Sequence, residues 1–184
     1  QSRNLNQHMK KRLIPVIALL FSLTAAKSQI TLLKLVGKDT KDYKIGFGVF
    51  LKTAIPYNEG SDITIEGGVN FFFLNYGSGA YGTVMCPLKV GYRYTLNGTG
   101  EGLYLEPQVG YNLFGVTSMI DKEGYPIDLK YHGVVFAAGG GYLFSLWNQP
   151  FDLNLRYETV IAHGGSNNLI ALGISRIINF RKKE

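Results

Sequence analysis

The chain has 184 residues, with 19 Lys and Arg against 13 Asp and Glu, so its formal net charge is +6 at pH 7. Five of the basic residues and none of the acidic ones fall within residues 1–28, which leaves 14 basic against 13 acidic residues in the remainder. Because a nucleic-acid-binding domain needs a basic face on its folded part, this balance argues against nucleic acid as a partner. The single cysteine, Cys86, excludes an internal disulfide framework, and we interpret it as a small lipid-facing or core residue rather than a nucleophile.

The N-terminal end has the three parts of a signal peptide. The basic stretch Met9–Arg12 is followed by an apolar run over 13–23 that is too short to cross a membrane as a helix. The small residues Ala26 and Ser28 then predict cleavage before Gln29, so the protein is expected to be exported. We divide the chain into an upstream remnant, a signal peptide and a mature domain, over residues 1–8, 9–28 and 29–184. A core helix over the apolar run is the alternative interpretation.

Apolar residues recur at every second position through most of the mature chain. Only a β-strand converts this period into two chemically distinct faces. The predicted strands span residues 30–36, 43–51, 61–74, 83–95, 103–113, 129–144, 151–161 and 169–180. Polar and glycine-rich connections are predicted at residues 37–40, 54–60, 75–80, 97–100, 115–128, 145–150 and 163–168, of which 115–128 is the longest.

The clearest alternation lies in the predicted hairpin over 83–114, whose turn contains Asn97-Gly98. One face of the hairpin is aliphatic, with tyrosine toward the strand ends. It carries Val84, Cys86, Leu88, Val90, Tyr92, Tyr94, Leu103, Leu105, Pro107, Val109, Tyr111 and Leu113. The opposite face carries charged, amide and glycine residues, so the two faces require different environments.

A membrane barrel provides those environments, with lipid outside and a polar interior. We therefore predict an all-β fold, an up-and-down antiparallel transmembrane β-barrel of about eight strands. The 23 glycines, 12 tyrosines and 11 phenylalanines fit this class. An even strand number places both termini in the periplasm and the connection 115–128 outside. A soluble lipocalin-type carrier would instead turn Leu153, Leu155 and Tyr157 inward.

The mature chain resembles the small eight-stranded outer-membrane β-barrels of Gram-negative bacteria, a group often labelled porin-like. The resemblance is one of pattern and covers about residues 30–180. It rests on Pro87 with Gly91–Tyr94, Leu103–Pro107 with Gly110-Tyr111, Gly139–Phe144, Asp152–Tyr157 and the closing Ala171–Ile174, which ends near Phe180. The resemblance implies architecture and an outer-membrane location, and it implies no shared catalytic residue.

Charged residues on the predicted inner faces form the candidate site. They are Lys44, Glu66, Lys89, Arg93, Glu106, Arg156 and Glu158. The interior of an eight-stranded barrel is only wide enough for side chains to fill it, and charges buried there must pair. We therefore expect a salt-bridged plug. A narrow path for water or small ions is the alternative, and catalysis by a carboxylate pair is disfavoured because no cleft is implied.

One segment raises an enzyme hypothesis. His163-Gly164-Gly165-Ser166-Asn167 loosely resembles the His-x-Ser-Asn stretch of lipid A deacylases, which are also eight-stranded outer-membrane barrels. A serine hydrolase needs its base within hydrogen-bond reach of the nucleophile. Residues three apart on a strand do not share a face, so we interpret the segment as a polar loop tip. No metal-ligand spacing or phosphate-binding loop is present in the sequence, and no cofactor is expected.

The sequence thus predicts a monomeric, non-enzymatic barrel with a structural or surface-contact role or narrow passage of small solutes. The expected partners are outer-membrane lipid, the barrel-assembly machinery during biogenesis and an unidentified partner at the outer surface. A soluble ligand-binding barrel and a lipid A-modifying hydrolase are the alternatives.

Overall fold

The computed structural model describes residues 25–37, 45–76, 79–98, 101–120, 125–147, 149–162 and 165–179. These ranges hold eight β-strands: β1 (Ala25–Val36), β2 (Gly46–Asn58), β3 (Ser61–Tyr76), β4 (Gly79–Thr95), β5 (Gly102–Ile120), β6 (Pro126–Leu146), β7 (Gln149–Ala162) and β8 (Gly165–Asn179). No helix in the described ranges is long and apolar enough to span a membrane.

The strands form a closed antiparallel ring. Each pairs with its neighbour in sequence, and β8 pairs with β1 from Ala25↔Asn179 to Val36↔Asn168. The predicted eight-stranded up-and-down barrel is therefore confirmed, including the first strand, β1. Both Ala25 and Asn179 lie at one end of the barrel, which we call the terminal end. The opposite end, where β1 reaches Val36, we call the loop end.

The alternation of side chains sets which face of each strand is outside. Along β7, Leu153, Leu155 and Tyr157 are 45%, 57% and 49% exposed, whereas Asn154 and Arg156 between them are 6% and 4% exposed. The aliphatic face therefore points outward. The soluble carrier alternative is wrong on this point, because its ligand would need that face inside.

The strands of the loop-end half are longer than their sequence pattern predicts. Among the described residues, the predicted loop over 75–80 is strand at 75–76 and 79–80, and the predicted loop over 163–168 is strand from Gly165 onward. Residues 115–120 and 126–128 of the predicted connection 115–128 also belong to strands, β5 and β6. These predictions were wrong because cross-strand pairing extends polar and glycine-rich segments beyond the apolar alternation.

Two predicted turns at the terminal end are also shorter than expected. Strand β2 continues to Asn58, so only Glu59 and Gly60 separate it from β3, and a register shift lies at Pro56. A bulge lets the ladder tolerate a proline that cannot donate a hydrogen bond. The predicted connection 145–150 is also shorter, because β6 extends to Leu146 and β7 begins at Gln149.

Some predicted features lie at the limits of the described chain. Strand β1 begins at Ala25, four residues before Gln29, so cleavage at that position stays a prediction. Lys44, His163 and Phe180 lie outside the described residues.

Candidate functional site: the barrel interior

The barrel interior is divided into two layers of different chemistry. The ionic layer consists of buried charged side chains: Lys52, Glu66, Lys89, Arg93, Glu106, Asp152, Arg156 and Glu158. The apolar layer consists of Leu33, Leu35, Phe72, Met85, Val135, Val160, Leu169 and Ala171. Along β3, Phe72 lies nearer the loop end than Glu66, and along β7, Val160 lies nearer it than Glu158. The ionic layer therefore occupies the terminal half of the barrel and the apolar layer the loop half.

Four side chains form the first group of the ionic layer. The Lys89 ammonium lies 2.9 Å from Glu66 and 2.8 Å from Glu158. The Arg156 guanidinium lies 3.0 Å from Glu66 and 3.3 Å from Glu158. None of these side chains is more than 5% exposed. Each cation thus bridges both carboxylates, and the four charges cancel.

The second group lies toward the terminal end and is also neutral. The Glu106 carboxylate lies 2.7 Å from Lys52 and 3.0 Å from Arg93, and Arg93 lies 3.2 Å from Asp152. The Tyr104 hydroxyl donates a 2.6 Å hydrogen bond to Asp152, and the Arg93 guanidinium stacks 4.3 Å from the centre of the Tyr104 ring. These contacts satisfy donors that a lone ion pair would leave unmet.

Lys52 connects the two groups. Its ammonium contacts Glu106 at 2.7 Å and lies 3.7 Å from Glu66 in the first group. The whole layer therefore holds four cations and four anions in one connected set. Because the ions come from β2, β3, β4, β5 and β7, the network crosses the lumen rather than running along one wall.

The structure places six of the seven sequence-predicted charges in this network, and Lys44 lies outside the described residues. Sequence reasoning missed Lys52, because the predicted strand stopped at Leu51 when the apolar alternation weakened. The alternation could have identified it, because Lys52 follows the inward residues Gly48 and Phe50 at the same two-residue spacing. The predicted set also lacks Asp152, which the structure places fully buried in the network.

Phe50 fills the junction between the two layers. Its ring is fully buried and lies 5.1 Å from the Lys89 ammonium and 5.7 Å from the Arg156 guanidinium, as in cation–π contacts. A Cβ atom at Gly68 would collide with this ring and with the carbonyl oxygen of Val49. Because glycine has no Cβ atom, Gly68 leaves room for the Phe50 ring.

The ionic layer contains a small cavity. A cavity of about 10 Å³ lies beside Lys52, Glu106 and Arg156, which is room for about one water molecule. Among the described residues no group of three His, Cys, Asp or Glu side chains is placed to hold a metal ion. Chemically, the ionic layer holds paired charges away from solvent.

The structure describes three of the five residues behind the enzyme hypothesis, 165–167. Ser166 lies on β8 opposite Ile161 and is exposed, whereas His163 lies outside the described residues. The prediction of a loop over 163–168 was wrong from Gly165 onward. The pairing of His163 with Ser166 stays a prediction.

No protein-family model matches the sequence, and no curated protein matches it. Solved structures do match its fold. The attachment invasion locus protein Ail of Yersinia pestis, whose crystal structure is of a complex with the heparin analogue sucrose octasulfate, is 14% identical with a TM-score of 0.55 over 84% of this chain and 96% of Ail. The N-terminal β-barrel domain of Pseudomonas aeruginosa OprF is 10% identical with a TM-score of 0.59, over 84% and 98% of the two chains.

Neisserial surface protein A is 11% identical with a TM-score of 0.56, over 85% of this chain and 96% of its own. At these identities the likeness concerns the fold. The alternating strands, the closed ring and the outward aliphatic faces agree with it. This chain has the fold of the small eight-stranded outer-membrane β-barrels of Gram-negative bacteria.

Proposed function

We propose that this protein is a closed outer-membrane barrel that anchors hairpins at the cell surface and does not conduct solutes. The observation that carries the proposal is the two-layer interior. A neutral network of eight charges crosses the terminal half, and an apolar layer follows it in the loop half. To cross the barrel, an ion would have to break the ion pairs of the ionic layer and pass through the apolar layer without hydration.

The exterior supports a lipid environment. Aliphatic side chains such as Val109, Leu155 and Leu172 are about half exposed on different strands. Aromatic side chains flank this surface at the terminal end, where Tyr142, Phe144 and Phe151 stack in sequence. Apolar bands with aromatic margins are the surface that lipid-spanning barrels present. Outer-membrane lipid is therefore the first partner that we propose, with assembly machinery acting during insertion.

The long strands at the loop end support a surface role. Strand β6 pairs with β7 only from Gly133 onward, whereas it pairs with β5 as far out as Pro126. The outer part of the β5–β6 hairpin therefore projects beyond β7. Tyr125 and Leu129 on it are 66% and 51% exposed, which provides apolar contact area for a surface partner. In the expected orientation this hairpin lies outside the cell.

A second candidate is narrow passage of water or small solutes. The side-chain amides of Asn70 and Asn112 are buried and have no hydrogen-bond partner among the described residues. Buried amides are ordinarily paired or hydrated, so these two favour some water in the lumen.

Single-channel recording in planar bilayers distinguishes the two candidates. We expect the wild-type protein, inserted and folded, to show no steady conductance. A reproducible single-channel step in the wild type would contradict the closed barrel and favour passage. Recovery of the protein in the soluble periplasmic fraction, without detergent, would instead contradict the membrane location.

A further inference from the structure

The cavity inside the ionic layer lies where β5, β6 and β7 meet. Besides charged groups, its lining includes the side chains of Gln108 on β5 and Asn154 on β7. Both of these amides are buried, and so is Arg156, which lines the cavity beside Asn154. The polar groups around the cavity are therefore removed from bulk solvent.

Three of the lining side chains have a polar atom that lacks a hydrogen-bond partner among the described residues. These atoms are Gln108 Oε1, Asn154 Nδ2 and Arg156 Nη2. The Gln108 amide has a defined orientation, because its Nε2 donates a 2.8 Å hydrogen bond to Glu106. The set therefore consists of one acceptor and two donors. Buried polar atoms are ordinarily paired, since an unpaired one loses its hydration without compensation.

The charges around the cavity are already neutralised within the network. Lys52 pairs with Glu106 at 2.7 Å, and Arg156 pairs with Glu66 at 3.0 Å. An additional ion would therefore bring an uncompensated charge into the interior. A neutral molecule that both donates and accepts hydrogen bonds fits these surroundings, and the volume of about 10 Å³ is room for about one water.

We propose that this cavity is a binding site for one water molecule, which accepts hydrogen bonds from Asn154 and Arg156 and donates one to Gln108. Gln108 belongs to the second group of the ionic layer through Glu106, and Arg156 belongs to the first group through Glu66. The water thus links the two groups, beside the link that Lys52 makes. The site does not depend on the proposed closed barrel, because one water held by three side chains forms no continuous path.

Crystal structures at a resolution that shows ordered water test the site. In the wild type we expect a density peak within hydrogen-bond distance of Gln108 Oε1, Asn154 Nδ2 and the Arg156 guanidinium. Asn154→Leu keeps nearly the same side-chain volume but removes one donor, so the peak should be lost. The matched control is Asn70→Leu. Asn70 is a buried amide that does not line the cavity, so this variant should keep the peak.

A bromide soak of the wild-type crystals distinguishes water from an anion, because bromide gives an anomalous signal and water does not. We expect no anomalous peak in the cavity. Such a peak, or a wild-type cavity without density, would overturn the proposal. Direct hydrogen bonds that join Gln108, Asn154 and Arg156 and close the cavity would overturn it as well. Retention of the peak in Asn154→Leu, or its loss in Asn70→Leu, would contradict the role of Asn154. The wild-type density decides the site even if a variant does not fold.

Discussion

Removal of the Arg156 charge should destabilise the barrel strongly. The Arg156 guanidinium contacts Glu66 at 3.0 Å and Glu158 at 3.3 Å, and its side chain is 5% exposed. In Arg156→Met the volume is largely kept, but the first group of the ionic layer holds two carboxylates and only Lys89. Taking one partner out of a buried ionic group costs about 3–5 kcal/mol, because the remaining charge stays buried and uncompensated.

A double-mutant cycle shows whether charge balance causes the loss. Glu66→Gln alone leaves an excess positive charge and should cost a similar amount, whereas the double variant Arg156→Met/Glu66→Gln is neutral again. Its loss of stability should therefore be smaller than the sum of the two single losses, by about 1–3 kcal/mol. The assay is urea unfolding of the barrel in lipid vesicles, followed by the fluorescence of Trp147, the single tryptophan.

The matched control is Arg176→Met. Arg176 is an exposed arginine on β8, so the same change there removes the charge from the surface rather than from the network. We expect a change within about 0.5 kcal/mol at this position. Equal losses for Arg156→Met and Arg176→Met, or strict additivity in the cycle, would refute the network as a source of stability.

Three other predictions follow from the exterior, the packing and the enzyme hypothesis. Leu155→Arg should cost about 2–4 kcal/mol in vesicle unfolding if Leu155 lies near the bilayer midplane, and no loss would put that position outside the hydrocarbon. Gly68→Ala, which puts a methyl group against the Phe50 ring, should cost about 1–3 kcal/mol, whereas Gly165→Ala should change little because open space surrounds it. We expect no lipid A deacylation by the wild type. Its detection by mass spectrometry of lipid A, and its loss in Ser166→Ala, would establish the enzyme instead.

The sequence was sufficient for the fold because a single physical signal controls it. Alternation between apolar and polar residues identified the eight strands and the outward direction of Leu153, Leu155 and Tyr157. That signal fades where strands leave the apolar band. Residues 126–128 on β6 were therefore predicted as part of a connection, although pairing with β5 makes them strand. Cross-strand pairing is not encoded in the residues of one strand alone, so strand ends could not be predicted.

Membership of the ionic layer was predictable from the face of each strand, but the pairing within it was not. Glu66 and Arg156 are 90 residues apart in sequence and meet only because the closed ring brings β3 and β7 to the same lumen. The division of the lumen into an ionic and an apolar layer was also missed. Leu33, Val160 and Leu169 are inward aliphatic residues on strands whose outer faces are aliphatic too, so alternation gave no contrast there.

Single-cysteine scanning along β7 tests the central claim most directly. In a Cys86→Ser background, cysteine is placed in turn at residues 153–158 of the folded barrel in vesicles. Positions 153, 155 and 157 should react with a lipid-soluble maleimide and resist a charged, water-soluble one, while positions 154, 156 and 158 should resist both. Labelling of the even positions by the charged reagent would mean an open, hydrated lumen. Labelling of the odd positions by that reagent would contradict a lipid-facing exterior.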